Sequence, residues 1–257
     1  MLDGSCVDGM IELIKPKYIV NLAAVSSVGA SWYIPQKTVQ VNVNGTLNIL
    51  EAVRQLDLRA RILLIGSSEE YAVSDSPISE TYTLNSNNPY GISKIAQEFF
   101  AEMYRASYGL DIISTRTFNH TGIGQHENFV LPGFVKQAAD IHNSGRGGKI
   151  YVGNLSAKRD FGDVRDMVRA YRMILESTTA EKVFNVGSGT CYSLEELLRY
   201  IVSLTSEHIE IVVSPEKLRP VDNPVIWCDN SLLRSKTGWS PKYTIYDTIN
   251  AMFVSMT

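Results

Sequence analysis

The sequence predicts an α/β fold: a parallel sheet covered by helices on both faces, followed by a smaller α/β lobe. Three observations predict it. Short apolar runs alternate with stretches of helical periodicity along the chain. The short runs are apolar almost throughout, as in strands buried on both faces of a parallel sheet. From about Thr121 onward the connections lengthen and fill with Gly, Asn and Pro, which predicts a lobe built from insertions after the later strands.

The elements follow in order. "YIVNLAA" (Tyr18 to Ala24) reads as a buried strand entering a loop, and "VQVNVNGTLNILEAVRQL" (Val39 to Leu56) as the helix behind it. "RILLIGSS" (Arg61 to Ser68) is a second strand. "PYGISKIAQEFFAEMYRASYG" is a helix closed by Gly109 at a C-cap position. "DIISTRTFN" is a third strand, "FVLPGFVKQAADIHNSG" a helix, "RDFGDVRDMVRAYRMILES" holds another helix, and "KVFNVGSG" is a fourth strand. In "SLEELLRYIVSL", Ser193 followed three residues later by Glu196 predicts a capping box. "HIEIVVS" reads as a strand outside the main sheet.

The 257 residues suffice for one substantial core, or one core with a small lobe. Hydrophobic residues make up 44% and charged residues 20%, an ordinary globular balance. A net charge of −3 without a basic block gives no support for nucleic acid or an anionic membrane as partner. No apolar run approaches the roughly 20 residues of a spanning helix, and "MLDGSCVDGM" lacks the basic and apolar regions of a secretion signal. Cys6, Cys191 and Cys228 share no metal spacing and are expected to be reduced thiols of a cytoplasmic protein.

Chemistry concentrates in a few stretches. In "NPYGISK", Tyr90 and Lys94 stand four apart, one turn along the same helix face. An adjacent ammonium lowers a phenol's pKa and makes tyrosine a usable acid or base for a carbonyl/alcohol pair. Alone the pattern is weak, since many helices carry it. Ser67 and Ser68 stand at the C-terminal end of a predicted strand, the edge where ligands bind in open α/β sheets. A hydroxyl there can bond a substrate oxygen, or merely cap the next turn. Ala23 and Ala24 end the first strand in small residues, which admit either a flat cofactor or a close-packed helix.

This order, together with "GSSEEYA", "TRTFNHTGIGQ", "VGNLSAKRDFGDVRD" and "LRPVDNP", resembles the extended short-chain dehydrogenase/reductase (epimerase/dehydratase) family over essentially the whole chain. The resemblance is strongest to its GDP-mannose branch of reductases and 4,6-dehydratases. It implies a Rossmann-like doubly wound sheet. Residues 1–120 with roughly 160–190 would form the dinucleotide-binding part, and residues 121–159 and 191–257 the nucleotide-sugar lobe. It also implies NADP(H) or NAD(H) as cofactor, a GDP-sugar as substrate, and a homodimer through the helices at Val39–Leu56 and Tyr90.

The roles it implies are specific. Ser67 would hold the sugar C4 oxygen, Tyr90 would exchange a proton with it, and Lys94 would bind the nicotinamide ribose. Ala23 and Ala24 would line the cofactor path, with Leu2 and Asp3 near the adenine. Ser68 and Asn119 would approach the substrate, Val130 the guanine, Arg159 and Arg219 the diphosphate, and Asp222 the nucleotide ribose. Guanidinium groups suit such phosphates on physical grounds too, being the bidentate partners of phosphate oxygens. Glu69 leaves two reactions open. It stands where a dehydratase keeps the base that removes the C5 proton, and "ENFV" (Glu127 to Val130) resembles the dehydratases too, yet "GSSEEY" and "TGIGQ" resemble the reductases, in which Glu69 would be a structural acceptor. The expected reaction is reduction of the C4 ketone of GDP-4-keto-6-deoxy-D-mannose, with dehydration, or binding without catalysis, as the alternatives.

The family pattern opens with a strand and a G-x-x-G-x-x-G turn, whose amides and helix N-terminus meet the cofactor pyrophosphate. The glycines of "DGSCVDG" have the wrong spacing. The resemblance therefore predicts a chain shortened at its N-terminus, lacking the first strands of the sheet. In such a chain "YIVNLAA" becomes an apolar edge and cofactor affinity falls.

Overall fold

The computed structural model describes residues 1–217 and 223–257. In chain order the elements are α1 (Gly4–Ile14), β1 (Tyr18–Asn21), α2 (Val28–Tyr33), α3 (Pro35–Val39), a π-helical turn (Gln40–Asn44), α4 (Gly45–Gln55), β2 (Arg61–Ile65) and a 3-10 turn (Ser68–Glu70). There follow α5 (Pro89–Tyr108), β3 (Asp111–Thr117), β4 (Asn119–Thr121), α6 (Val130–Ser144), β5 (Gly148–Val152), β6 (Lys158–Asp163) and α7 (Val164–Glu176). The last part holds β7 (Val183–Val186), β8 (Cys191–Ser193), α8 (Leu194–Val202), β9 (Ile209–Val213), a 3-10 turn (Pro215–Lys217), β10 (Val225–Ile226), α9 (Ser231–Thr237) and α10 (Ile245–Val254).

The four predicted apolar runs form one parallel sheet in the order β1-β2-β3-β7. Successive residues of the central strands feed opposite faces, as strand geometry requires. Ile62, Leu64 and Ile112 meet Val7 and Ile11 of α1, Leu50 and Val53 of α4, and Ala101 and Tyr104 of α5. Leu63 and Ile113 meet Met167, Ala170 and Ile174 of α7, with Leu233 of α9 and Trp239. Each fully buried Leu or Ile contributes about 1.5–3 kcal/mol, so β2 and β3 anchor both layers. The sheet is doubly wound, as predicted. β1 and β7 are the edges of the described sheet, and on β1 Tyr18 and Val20 are exposed, with Leu22 exposed just beyond it.

A second core is built from α6, α8, α10 and the flanking strands, around Leu131, Val135, Ile150, Leu197, Leu198, Ile249 and Met252. β6 pairs with β4 and β10 in parallel and with β8 antiparallel. β9, the predicted strand outside the main sheet, pairs with β5 alone.

Two local expectations are corrected, and one helix is new. The helix expected over Val39–Leu56 is two helical segments joined by the π-helical turn, whose extra residue turns Asn42 fully inward. Ser193 caps α8 by accepting the Glu196 N–H, but the Glu196 carboxylate takes the Tyr246 hydroxyl instead of closing a box. Helix α1 went unread in the sequence; Asp3 caps it by accepting the Cys6 N–H, and Val7 and Ile11, one turn apart, bury its inner face. Gly109 closes α5 with φ 69°, as predicted.

Candidate active site

The C-terminal ends of β1, β2 and β3 open into a cleft of two adjoining chambers, of about 400 and 390 Å³. Ser27, Glu69, Asn119, Asn128, Phe129 and Val130 form the wall shared by both. Parallel sheets place ligands at this edge because the loops leaving the strands there are free to diverge.

The first chamber gathers Ser67, Ser68, Tyr90 and Lys94 with Ala24, Thr117, Phe118 and His120. Ser67 arrives at the end of β2 and caps the 3-10 turn by accepting the Glu69 N–H, 3.2 Å. Tyr90 and Lys94 ride on the first turns of α5, which Asn88 starts by accepting the Gly91 N–H at 2.9 Å with Pro89 behind it. Lys94 is almost wholly buried; its Nζ donates to the Ile65 carbonyl (2.7 Å) and to Gln97 Oε1 (3.2 Å). An ammonium has three donors, so one remains for the cavity. The Ser67 hydroxyl likewise accepts a bond and keeps its own proton to give.

The expectation that Lys94 lowers the Tyr90 phenol is not met. Burial drives Tyr90 above its ordinary range; the Ser67 hydroxyl opposes this, while Glu70 and Glu69 add to it. Lys94 stands 6.0 Å from the Tyr90 ring centre, committed to the Ile65 carbonyl. Its own ammonium is pulled down to about 8 by burial, against the support of Glu70. The spacing placed both groups on one face, but burial, which spacing does not reveal, outweighs their mutual charge effect.

The second chamber holds Glu127, Gln137, Asn154, Arg159 and Lys217 beside the apolar Phe134, Phe161 and Leu194. Arg159 is buried and donates to the Lys158 carbonyl at 2.8 Å; Lys217 donates to the Tyr151 carbonyl, 2.8 Å. Asn119 and Val130 reach both chambers, as does Glu69, whose carboxylate accepts from Asn88 Nδ2 at 3.0 Å.

Not every expected residue is brought together. Ala23 donates its N–H to Asn21 Oδ1 and lines neither chamber. Asp3 is occupied as the cap of α1, and Leu2 is exposed before it. Arg219 and Asp222 lie outside the described residues. The charges from Asp163 to Asp166 do structural work. Asp163 caps α7 and pairs with Arg165, and Asp166 accepts the N–H groups of Lys242 and Tyr243. The Nδ1 of His120 meets the Phe118 carbonyl at 3.2 Å while the ring lines the first chamber, and burial holds it below its ordinary pKa, hence neutral. Lys217 was not singled out by sequence, being a lone surface-type lysine in a polar stretch; Glu127 opens the "ENFV" stretch that ends at Val130.

The residues present fit the nicotinamide-ribose part of a dinucleotide. The chamber offers a spare ammonium donor, a phenol, a hydroxyl and an apolar floor of Val164, Met167 and Val168.

A family model described as GDP-mannose 4,6 dehydratase matches residues 1–252. The GDP-6-deoxy-D-mannose reductase of Pseudomonas aeruginosa is 30% identical over 240 residues, covering 92% of this chain and 79% of that protein. GDP-mannose 4,6 dehydratase 1 of Arabidopsis thaliana is 32% identical over 248 residues, covering 93% and 68%. Among solved structures, RMD from Pseudomonas aeruginosa complexed with NADPH superposes with a TM-score of 0.92 at 28% identity, over 99% of this chain and 86% of that one. The UDP-glucose 4-epimerase of Thermotoga maritima with UDP-glucose gives 0.88 at 26%, over 99% and 81%. The chain belongs to the GDP-mannose 4,6-dehydratase family of enzymes.

Proposed function

We propose that the chain is a nucleotide-sugar oxidoreductase that reduces the C4 ketone of GDP-4-keto-6-deoxy-D-mannose with NADPH or NADH. The observation that carries this reading is the convergence of Ser67, Tyr90 and Lys94 on one chamber that opens directly into the chamber walled by Arg159 and Lys217. The first chamber suits a ketone and a nicotinamide ribose, the second a nucleotide diphosphate. The likeness to a GDP-6-deoxy-D-mannose reductase, and to a structure solved with NADPH, supports the same substrate and cofactor class.

The roles follow from the groups. The nicotinamide cofactor, when bound, supplies the hydride. Ser67 gives its hydroxyl proton as a hydrogen bond to the C4 oxygen and fixes the ketone. Tyr90 transfers the phenolic proton to that oxygen as negative charge develops; its raised pKa keeps the proton available at neutral pH. Lys94 turns its remaining donor to the ribose and places a positive charge beside the phenolate that forms. Asn119 and Arg159 hold the pyrophosphate, with Val130 against the base; Arg219 and Asp222 complete the nucleotide side.

A second reading, dehydration of GDP-mannose, rests on Glu69, which reaches both chambers. The reductase reading is preferred because the Glu69 carboxylate already serves Asn88, the cap that starts the Tyr90 helix. We place the protein in the cytoplasm; no described helix is long and apolar enough to cross a membrane. We also propose a homodimer, formed where Ile92, Phe99 and Met103 of α5 stand exposed.

One experiment separates the readings. The purified chain is given GDP-4-keto-6-deoxy-D-mannose with NADPH, and separately GDP-mannose with NADP+. Loss of NADPH absorbance in the first supports the reductase. Formation of the keto-sugar in the second, with no turnover in the first, overturns it. GDP binding without either product leaves a binder.

A further inference from the structure

β3 carries a buried arginine that no step of the proposed reaction touches. Nε and Nη2 of Arg116 donate to the two carboxylate oxygens of Glu98 on α5, at 3.0 and 2.5 Å. Its Nη1 donates to the Tyr71 hydroxyl at 2.9 Å and to the Glu80 carbonyl at 2.8 Å. Arg116, Glu98 and Tyr71 are all buried. One cation therefore joins three pieces of chain: β3, α5 and the segment that follows Ser67.

The ends of these bonds lead to the site. Glu98 lies one helical turn beyond Lys94 and two beyond Tyr90 on α5. Tyr71 closes the 3-10 turn that Ser67 opens, its N–H donating to the Ser68 carbonyl at 3.2 Å. Within that turn Glu70 Oε1 accepts the Ser67 N–H at 2.6 Å, while Oε2 stands 3.9 Å from Arg116 Nε. Oε1 can accept this amide whether or not the carboxyl is ionised, so the hold on Ser67 does not depend on charge. Gly66 keeps the turn pressed on β3: its N–H reaches the Thr115 carbonyl at 2.7 Å, and a Cβ there would stand 2.4 Å from that oxygen and 2.4 Å from Glu70 Oε1. The front of the turn meets α5 separately, where the Glu69 carboxylate accepts from Asn88 Nδ2 at 3.0 Å. A turn held at one point can pivot; the Arg116 bonds supply a second point, behind the first.

Resting on the reductase reading above, we propose that Arg116 is a positioning residue of the reaction. It locks the Ser67 turn to the rear of the Tyr90 helix and so sets the reach between the Ser67 hydroxyl and the Tyr90 phenol. Both groups must meet one ketone oxygen, and a misplacement of about 1 Å there costs about 10²-fold in rate. A guanidinium suits the post because its planar fork grips Glu98 with two bonds and still sends Nη1 to the turn. A lysine ammonium has fewer donors and no fork.

The test is Arg116→Lys, which keeps the charge and loses the fork. Its kcat should fall about tenfold with the KM for the keto-sugar nearly unchanged. Made in a Ser67→Ala chain, the same substitution should cost less than about twofold, because the hydroxyl it aims is gone. A role in stability alone would leave kcat per folded molecule unchanged or lower both chains alike. Amide exchange followed by NMR reads the same lock without turnover. The Ser67 amide should exchange about tenfold faster in Arg116→Lys, while those of Leu63 and Leu64 in β2 keep the parent's rates. If Arg116→Lys does not fold, Glu98→Gln, which breaks one arm of the fork from the α5 side, is read in the same way. A kcat within about twofold of the parent in the folded variant, an equal loss in the Ser67→Ala chain, or an unmoved Ser67 amide overturns the inference. A chain that reduces no ketone overturns the proposed function instead, and the Ser67 amide then still decides whether the lock exists.

Discussion

Replacing Asn42 by alanine offers a severe test of how this cleft is held. Asn42 is fully buried in the π-helical turn. Its Oδ1 accepts the Val25 N–H (2.8 Å), and its Nδ2 donates to the Val25 carbonyl (3.2 Å) and to Ser93 Oγ (2.9 Å). Ser93 passes the connection on by donating to the Tyr90 carbonyl, 2.6 Å. One amide thus ties the loop after β1 to the helix that carries Tyr90. Asn42→Ala strands both backbone groups of Val25, at about 1–3 kcal/mol for each buried group left unmet. Val25 is half-buried, so water recovers part of this. Ser93 keeps its own bond and loses only a donor to it. The sum is about 3 kcal/mol, or roughly 6–12 °C in melting temperature for a chain of this size. Urea unfolding followed by far-UV circular dichroism measures it, with Ser93→Ala as the companion at about 1 kcal/mol. The loop also walls the first chamber, so NADPH affinity should weaken about tenfold, a cost of roughly 1.4 kcal/mol. An Asn42→Ala protein within about 0.5 kcal/mol of the parent, or no less stable than Ser93→Ala, would refute the clamp.

Three further predictions follow from the same geometry. Tyr90→Phe should lower kcat by about 10²–10⁴ with little change in stability, checked by initial rates and thermal melts; retention of most activity would remove Tyr90 as the acid. Phe99→Glu places a charge on an exposed apolar stretch of α5 and should leave the chain monomeric by sedimentation velocity; an unchanged dimer would place the interface elsewhere. Glu51 is drawn down from its ordinary 4.5 to about 2 by the Arg54 guanidinium, helped by the Tyr104 hydroxyl. Its contribution is therefore complete above about 4.5 and lost as pH falls through about 2. Stability of Glu51→Gln should accordingly fall less steeply than the parent's between these limits, measured by urea unfolding at a series of pH values.

The centre of the sheet was legible because β2 and β3 are buried on both faces, and such strands announce themselves as unbroken apolar runs. The Tyr90 helix was legible from Pro89 at its start, its apolar spacing and Gly109 at its end. Helix α1 was obscured by Gly4 and Gly9, which hide a helix sustained by its packing on α4. The π-helical turn left no trace, since one added residue barely alters the spacing of Val41, Val43 and Leu47. That Ser67, Tyr90 and Lys94 line one chamber was legible from their spacing and strand position; the electrostatics of that chamber were not. The direction of the Tyr90 shift is set by burial, with the Ser67 hydroxyl against it and Glu70 and Glu69 adding to it, and spacing reveals none of these. Glu70 itself, read as sequence, is one more acid in an acidic turn.

The wide turn at Gln40–Asn44 also sets the timing of a helical rod. A residue added to an α-helix advances everything beyond it by about 100°. Upstream, α3 faces α5; downstream, α4 turns Ile49, Leu50 and Val53 to the sheet. Removing one residue from this turn would restore a regular helix and rotate one half out of step with the other, so that Leu50 and Val53 could meet the sheet only if Asn42 no longer met Val25. A one-residue deletion here would therefore do more damage than any single substitution in the same turn, because it forces a choice between the core and the cleft.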